Sequence, residues 1–400
     1  MRHWHRVREI SGTMPPNRET LSTGSVACSR ILMLGWRLHS TDAESQQIFD
    51  DGKRMAKEAG NTALIALLYL GFGILRGVGL AYTDDYLSYT TEAARLAQEL
   101  NDIELQSSVG SYLPWVHLTS GDLNSAREVI ATVSENLPED PDFGGSVSAI
   151  PAKPLLIMAD AVRLTVSGQL PEALAQYKKT NALLEQTNFM DGVVYSDFRA
   201  CNATVYMGDL ASARQRSQAL FEIAEISPIG VIPVAADIAA GIVACADGNF
   251  SLAIEFLKRA HKSLLDKRAF GLLRVPAEPF LVDALLQKGR PDEARALGEE
   301  TLALCRDHHF KLTVDPWIAM ARVHIQVGDQ AEALALINEA EAILKETEAH
   351  TSAPFLCECR AEFAQAFACD WSAQSELQKA HDLFLEIGAP GNAQRIAQLS

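Results

Sequence analysis

The chain has 400 residues, 48% hydrophobic and 22% charged, which gives enough apolar mass for a large buried core and is not the balance of a disordered chain. A formal charge of −16 at pH 7 argues against a nucleic-acid partner, because phosphate binding needs clustered Lys and Arg to release counterions. Seven cysteines (28, 201, 245, 305, 357, 359 and 369) are odd in number and lack paired spacing, which argues against a disulfide framework and fits a reducing cytoplasm.

Residues 1–25 lack the apolar run of a secretory signal, although their Arg, Ser and Thr content has something of a transit peptide. They read as a disordered leader ahead of one folded region, 26–400. Helical periodicity then predicts antiparallel pairs at 27–39 with 43–59, 62–80 with 84–100, 102–120 with 123–136, and 152–167 with 170–187. It continues at 190–207 with 210–226, 231–247 with 250–266, 275–288 with 291–308, 313–327 with 330–347, and 353–368 with 371–387. A last helix, 390–399, caps the end, and the Pro- and Gly-rich stretch 137–151 is the longest internal loop. No segment alternates as a strand between hairpin turns.

The apolar run "ALIALLYLGFGIL", residues 63–75, ends at Arg76 and falls short of the roughly 18–20 residues that span a bilayer, so it reads as a buried helix without membrane insertion. Its extension "GFGILRG" has the glycines of a phosphate loop but no strand before it, and a dinucleotide site needs strand, turn and helix in that order.

The turns share one grammar, a Gly with an Ala five positions later: Gly121/Ala126, Gly168/Ala173, Gly208/Ala213, Gly248/Ala253, Gly289/Ala294 and Gly328/Ala333. Successive glycines lie 47, 40, 40, 41 and 39 apart. Cys369 occupies the next Gly place and Asp84 the preceding one. The Gly permits the left-handed conformation that ends a helix, and Pro171 and Pro291 suit the first turn of the next. The Ala is small because two helices approach there; in "EALALINEAEAIL" the stripe is Ala333, Leu336, Ile337, Ala340 and Leu344. Cys201 falls where other repeats have Ala161, Gly241 and Ala321, so it is a small core residue. A fixed period near 40 means a stacked array, an all-α, right-handed α-solenoid of about nine helix pairs.

The Gly-Asp-Leu and Gly-Asn-Phe turns resemble the tetratricopeptide repeat: Gly248, Phe250, Ala253 and Ala260 match its small and aromatic positions, as do Gly328, Ala333 and Ala340. The period here is longer, and the helix-terminating Pro of that repeat is mostly missing. Residues 31–61 and 380–399 resemble the opening and closing segments of the helical C-terminal region of bacterial regulators that carry a class III nucleotidyl cyclase and a signal-transducing ATPase. The resemblance implies a sensor or scaffold whose partner is a protein or peptide, including a cyclase or ATPase module. An alternative is the detached regulatory region of such a cyclase–ATPase protein. The chain has neither a Gly-x-x-x-x-Gly-Lys-Ser/Thr loop nor a cyclase-like metal-binding strand, so that chemistry would reside elsewhere.

No cofactor is expected. Cys357 and Cys359, with His350, His308 and His309 nearby, are a conceivable metal set, but Cys-x-Cys on a helix splays its thiols by about 200°, and buried inert thiols are the plainer reading. No nucleophile sits in a strained elbow motif, so an enzyme or a small-molecule binder is only a further alternative.

The first helices of the pairs should line a concave groove. Positions nine and six before the turn Gly give Arg199 with Asn202, Asp283, Arg322, Arg360 and Trp115. Arginines at such places fork onto carboxylates, which predicts binding of an acidic peptide or a carboxylate ligand. The plainer reading is a set of solvated or locally paired charges. Asp197, Asp237, Glu278 and Glu358 recur eleven before the turn, where the helix macrodipole is the expected reason for them.

Overall fold

The computed structural model describes residues 2–36, 41–187, 189–227, 231–267 and 270–399. Among these residues every regular element is helical, and the chain divides into two compact units of stacked helix pairs, an α-solenoid fold.

The first unit comprises the chain up to His117, with Asn124–Leu156 and Leu264–Leu272. It holds α1 (Arg2–Thr13), α2 (Arg18–Gly35), α3 (Asp42–Glu58), α4 (Thr62–Ile74), α5 (Thr83–Glu99), α6 (Ile103–Gly110), the start of α7 (Leu113–Ser120), most of α8 (Leu123–Glu135) and the single turn α9 (Gly145–Ser148). Its core joins Cys28, Ile31 and Leu32 of α2 to Ile48 and Phe49 of α3 and to Leu68 and Phe72 of α4. Phe49 stacks on Phe72 at 4.7 Å, and Tyr89 meets Phe72 edge-on at 4.9 Å.

Where a disordered leader was expected, the described residues 2–25 hold α1 and the first turns of α2, with 14–17 between them. The cause is local chemistry followed by packing. Asn17 caps α2 by accepting from the Thr20 amide at 2.9 Å, while the Thr20 hydroxyl accepts from the Asn17 amide at 3.0 Å, a reciprocal capping box. Trp4 then packs on the core, and Arg8 pairs with Asp51 at 2.6 Å. The expected helix end at residue 39 lies outside the described residues.

The segment expected as one helix over 102–120 is two. Pro114 has no amide to donate, the ladder breaks at Ser111–Tyr112, and α7 restarts with Pro114 in its first turn. α4 runs beyond Arg76 through a π-helical turn, Leu75–Gly79, and Arg76 reaches Asp85 at 2.7 Å and Asp42 at 3.4 Å. The combined helix Thr62–Gly79 is long and apolar enough to cross a membrane by length and composition, and 61% of it is buried in the protein. Within the loop 137–151, α9 forms one turn between Gly144 and Ala149, both at positive φ.

The second unit comprises Leu118–Leu123, Ile157–Ser263 and the chain from Leu273. Its helices are α10 (Ala152–Val166, of which the part from Ile157 belongs here), α11 (Leu170–Gln186), α12 (Met190–Met207), α13 (Leu210–Ile226), α14 (Ile232–Ala246) and α15 (Phe250–Lys267, to Ser263). Then come α16 (Arg274–Gln287), α17 (Pro291–Asp307), α18 (Asp315–Val327), α19 (Gln330–Thr347), α20 (Ala353–Ala366), α21 (Ala373–Glu386) and α22 (Pro390–Ala397).

The turn grammar holds physically. All six turn glycines have positive φ, as at Gly208 (74°) and Gly328 (81°), and the six alanines five positions on are fully buried between helices. Gly241 shows why small residues recur at the other closely packed position: a Cβ there would lie 2.4 Å from Leu257. In α19 the buried stripe runs through Ile343 to Thr347, with Leu344 only half-buried. At the two degenerate turns the register differs. Ala81, not Asp84, takes the positive φ (65°), while the loop at Cys369 follows an extended Phe367.

The inter-repeat loops of this unit return to its early turns. The Lys311 amide donates to the Thr119 carbonyl at 2.9 Å, the Thr351 hydroxyl to the Thr165 carbonyl, and the Asn392 side chain to the carbonyls of Val205 and Tyr206. Glycines permit this approach: a Cβ on Gly391 would lie 2.4 Å from the Gly208 carbonyl oxygen.

Candidate functional site

The return of α22 borders a half-open cavity of about 910 Å³ inside the second unit. Its wall is built from helical stripes. α16 contributes Phe280, Asp283 and Leu286; α18 contributes Asp315, Ile318, Arg322 and Ile325; α20 contributes Phe355, Glu358 and Glu362; α22 contributes Asn392 and Arg395, with Leu399 just past its end. Steps of three and four place each set on one face of its helix. Tyr206 of α12 and Phe250 of α15 complete an aromatic lining.

Of the six sequence-derived positions, Asp283 and Arg322 line this cavity and bind one another. Arg322 Nη1 donates to Asp283 Oδ2 at 3.2 Å, and its Nε to Glu362 Oε2 at 3.0 Å. Arg199 is elsewhere: 9% exposed, it donates to the Tyr195 hydroxyl at 2.9 and 3.2 Å with its guanidinium over that ring. Asn202 is buried on α12, one turn before Val205 and Tyr206 of the wall, and its Oδ1 accepts no hydrogen bond among the described residues. Arg360 pairs with Glu341 at 2.5 Å and lies over Trp371. Trp115 belongs to the first unit, where it is a buried side chain. The three arginines thus have intramolecular partners, and the heads of Arg199, Arg322 and Arg360 are not fully hydrated.

The wall carries charges that the offsets did not single out. Arg395 forks onto Glu358 at 2.7 and 2.9 Å. Asp315 accepts from the Tyr206 hydroxyl at 2.7 Å and the Ser352 hydroxyl at 2.8 Å. Burial pushes the Asp283 carboxyl up to about 6; the Arg322 charge pulls against this, and the charges of Glu362 and Asp315 add to it. Burial likewise holds the Tyr206 hydroxyl well above its ordinary value, with the Asp315 charge adding.

The acidic positions eleven before the turn have a different cause from the one expected. Asp197, Asp237, Glu278 and Glu358 lie beyond the first turns of their helices, where a macrodipole has little reach. Each bridges helices. Asp197 accepts from Asn181 at 2.8 Å, Asp237 from Arg259 at 2.8 Å, and Glu358 from Arg395. Glu278 takes Arg274 at 2.6 Å, His261 at 2.8 Å and Thr301 at 2.5 Å. Burial would raise the Glu278 carboxyl, but these partners hold it below its ordinary value.

All seven cysteines are free. Cys357 and Cys359 are buried, and burial raises both thiols, Cys357 to about 11. Among the described residues no group of three or more His, Cys, Asp or Glu side chains is placed to hold a metal ion.

No protein-family model and no curated protein matches this chain. Solved structures do. A Rap protein complexed with Competence and Sporulation Factor superposes with a TM-score of 0.60 at 10% identity, covering 96% of this chain and 100% of that one. A tetratricopeptide repeat protein from Parabacteroides merdae matches with a TM-score of 0.39 at 13% identity, over 69% of this chain and 93% of that one. A signal transduction ATPase with a tetratricopeptide repeat sensor, from Pyrococcus horikoshii, matches with a TM-score of 0.44 at 16% identity, over 93% of this chain and 53% of that one. At these identities the likeness is one of fold.

Proposed function

We propose that this chain is a non-catalytic repeat scaffold that captures a protein or peptide segment in the cavity of its second unit. The observation that carries this reading is the cavity itself: about 910 Å³, walled by Phe250, Phe280 and Phe355 between pairs of fixed charges. Sites that bury a ligand are of this kind, roughly 300–1,000 Å³, mostly apolar, with a few placed polar groups. The Rap protein of like fold is complexed with Competence and Sporulation Factor, and a comparable use is proposed here.

Panning random heptapeptides displayed on phage against the full chain tests this. Enriched sequences should bind the parent and be lost with Ile325→Trp, which fills the cavity from α18. Equal binding to both proteins would place the peptides elsewhere and sink the reading.

A sensor role beside a cyclase or ATPase module is the finer form of the proposal. One observation favours it: residues 380–399, which resemble the closing segment of that regulator family, supply the cavity wall through α22. An occupant would therefore bear directly on α22. Cytoplasmic residence is proposed with it, from thiols that are all unpaired.

A further inference from the structure

The charges on the cavity wall favour one kind of occupant. Four carboxylates, Asp283, Asp315, Glu358 and Glu362, face the cavity against two guanidiniums, Arg322 and Arg395. Arg395 is committed to Glu358 in a two-pronged pair. Arg322 alone serves both Asp283 and Glu362. Asp315 has two hydroxyl partners and no ion pair among the described residues. The wall is therefore short of positive charge around α16, α18 and α20.

An unsatisfied acceptor on the wall points the same way. Asp283 Oδ1 is buried without a donor among the described residues. Buried acceptors without donors are costly, and a ligand that brings N–H groups relieves that cost. A carboxylate ligand does the reverse: it would have to draw Arg322 away from two carboxylates and add a third negative charge beside them.

We propose that the occupant is an extended basic peptide segment, one of whose Lys or Arg side chains enters the space bounded by Asp283, Asp315 and Glu362. This rests on the reading of the cavity as a peptide groove and names its partner class. The raised carboxyl of Asp283 accords with it, since an arriving cation favours the ionised form that burial disfavours. Apolar neighbours of the basic residue have Phe280 and Phe355 to pack against.

The test uses the full chain and labelled hexapeptide pools with blocked ends. One central position is fixed as Arg, Lys, Gln or Glu, and the others are random among uncharged residues. Fluorescence anisotropy near neutral pH should show the Arg and Lys pools binding about tenfold or more tighter than the Glu pool, as expected for a charge pair formed away from bulk water. The double variant D283N/E362Q keeps the side-chain shapes and removes two negative charges, so the preference should fall to about threefold or less. If that variant fails to give a helical spectrum and a cooperative melt, D315N alone must shrink the preference, because it removes a negative charge while its amide oxygen accepts from one of the Tyr206 and Ser352 hydroxyls and its NH2 donates to the other. Gln or Glu pools that bind as tightly as the basic ones would overturn the basic occupant and leave the peptide groove standing. Failure of every pool to bind would overturn both.

Discussion

The Asn392 side-chain amide donates to the carbonyl oxygen of Tyr206 at 2.8 Å, joining residues 186 positions apart, and reaches that of Val205 at 3.3 Å. Asn392 also accepts from Arg395 at 3.0 Å, so one side chain holds α22 against α12 and orients the guanidinium that pairs with Glu358. A helix of eight residues has little stability of its own. Asn392→Ala should therefore cost about 1–2 kcal/mol, concentrated in α22. Hydrogen exchange followed by mass spectrometry should show faster exchange over 390–399 and none in α2 to α5. Unchanged protection of α22 would mean that Ile396 and the other apolar contacts hold it without the amide.

Two glycines separate backbone freedom from close approach. Gly328 has a φ of 81° and open space where a Cβ would stand, so Gly328→Ala meets only the left-handed backbone cost, about 1–2 kcal/mol. Gly391 is in the first turn of α22, and a Cβ there would strike the Gly208 carbonyl oxygen at 2.4 Å. That neighbour is backbone and has no rotamer to give. Gly391→Ala should displace α22 and weaken peptide capture, whereas Gly328→Ala lowers the melting temperature with capture intact. Capture lost in both, or in neither, would contradict this division.

The amino-terminal helix makes the opposite prediction from a disordered leader. Trp4 covers the core around Phe49 and Leu68, and Arg8 reaches Asp51 at 2.6 Å. Deleting residues 2–13 should lower the melting temperature measured by circular dichroism, and Trp4→Ala should reproduce part of the loss, about 1–3 kcal/mol for a partly buried aromatic. A melt that the deletion leaves unchanged would show that α1 adds nothing to the unit.

Much of the fold was legible because its punctuation is local. A Gly at positive φ and an Ala at a helix contact are each dictated by their own geometry, and the period follows from stacking identical contacts. Where the punctuation degenerates, the reading slipped, as at Asp84, where the turn conformation falls on Ala81. The Asn17–Thr20 capping box after Pro15 and Pro16 was a readable start signal for α2, and it was missed by treating the leader as one piece. Of the expected groove positions, Asp283 and Arg322 fall on the cavity wall because the offset of six before the turn Gly puts them at the same place on their helices. That Glu362 and Asp283 both claim Arg322 was not legible, since those partners come from neighbouring repeats and their contact depends on stacking geometry. Arg395 escaped because it follows its turn glycine, Gly388 (φ 73°), whereas the offsets count back from the turn onto the preceding helix, and its place is set by the return onto α12.

Two carboxylates should titrate with opposite consequences for stability. Asp283 is raised to about 6 by burial, with Arg322 opposing and Glu362 and Asp315 adding. A raised acid binds its proton more tightly in the folded state, so its contribution worsens as pH rises from about 4 to about 6 and is then constant. Glu278 is held low by His261, Arg274 and Thr301 despite burial. Its contribution is present above the unfolded value of about 4.5 and is lost as pH falls through its depressed folded value. Scanning melts of the parent, Asp283→Asn and Glu278→Gln across pH 4 to 7 separates the two. Asp283→Asn should gain on the parent as pH rises and then level off above about 6. Glu278→Gln should be destabilised by about 3–5 kcal/mol near neutrality, because Arg274 loses its buried partner, and the gap should narrow toward pH 4. Parallel curves for all three proteins would mean that neither carboxylate changes its proton affinity on folding.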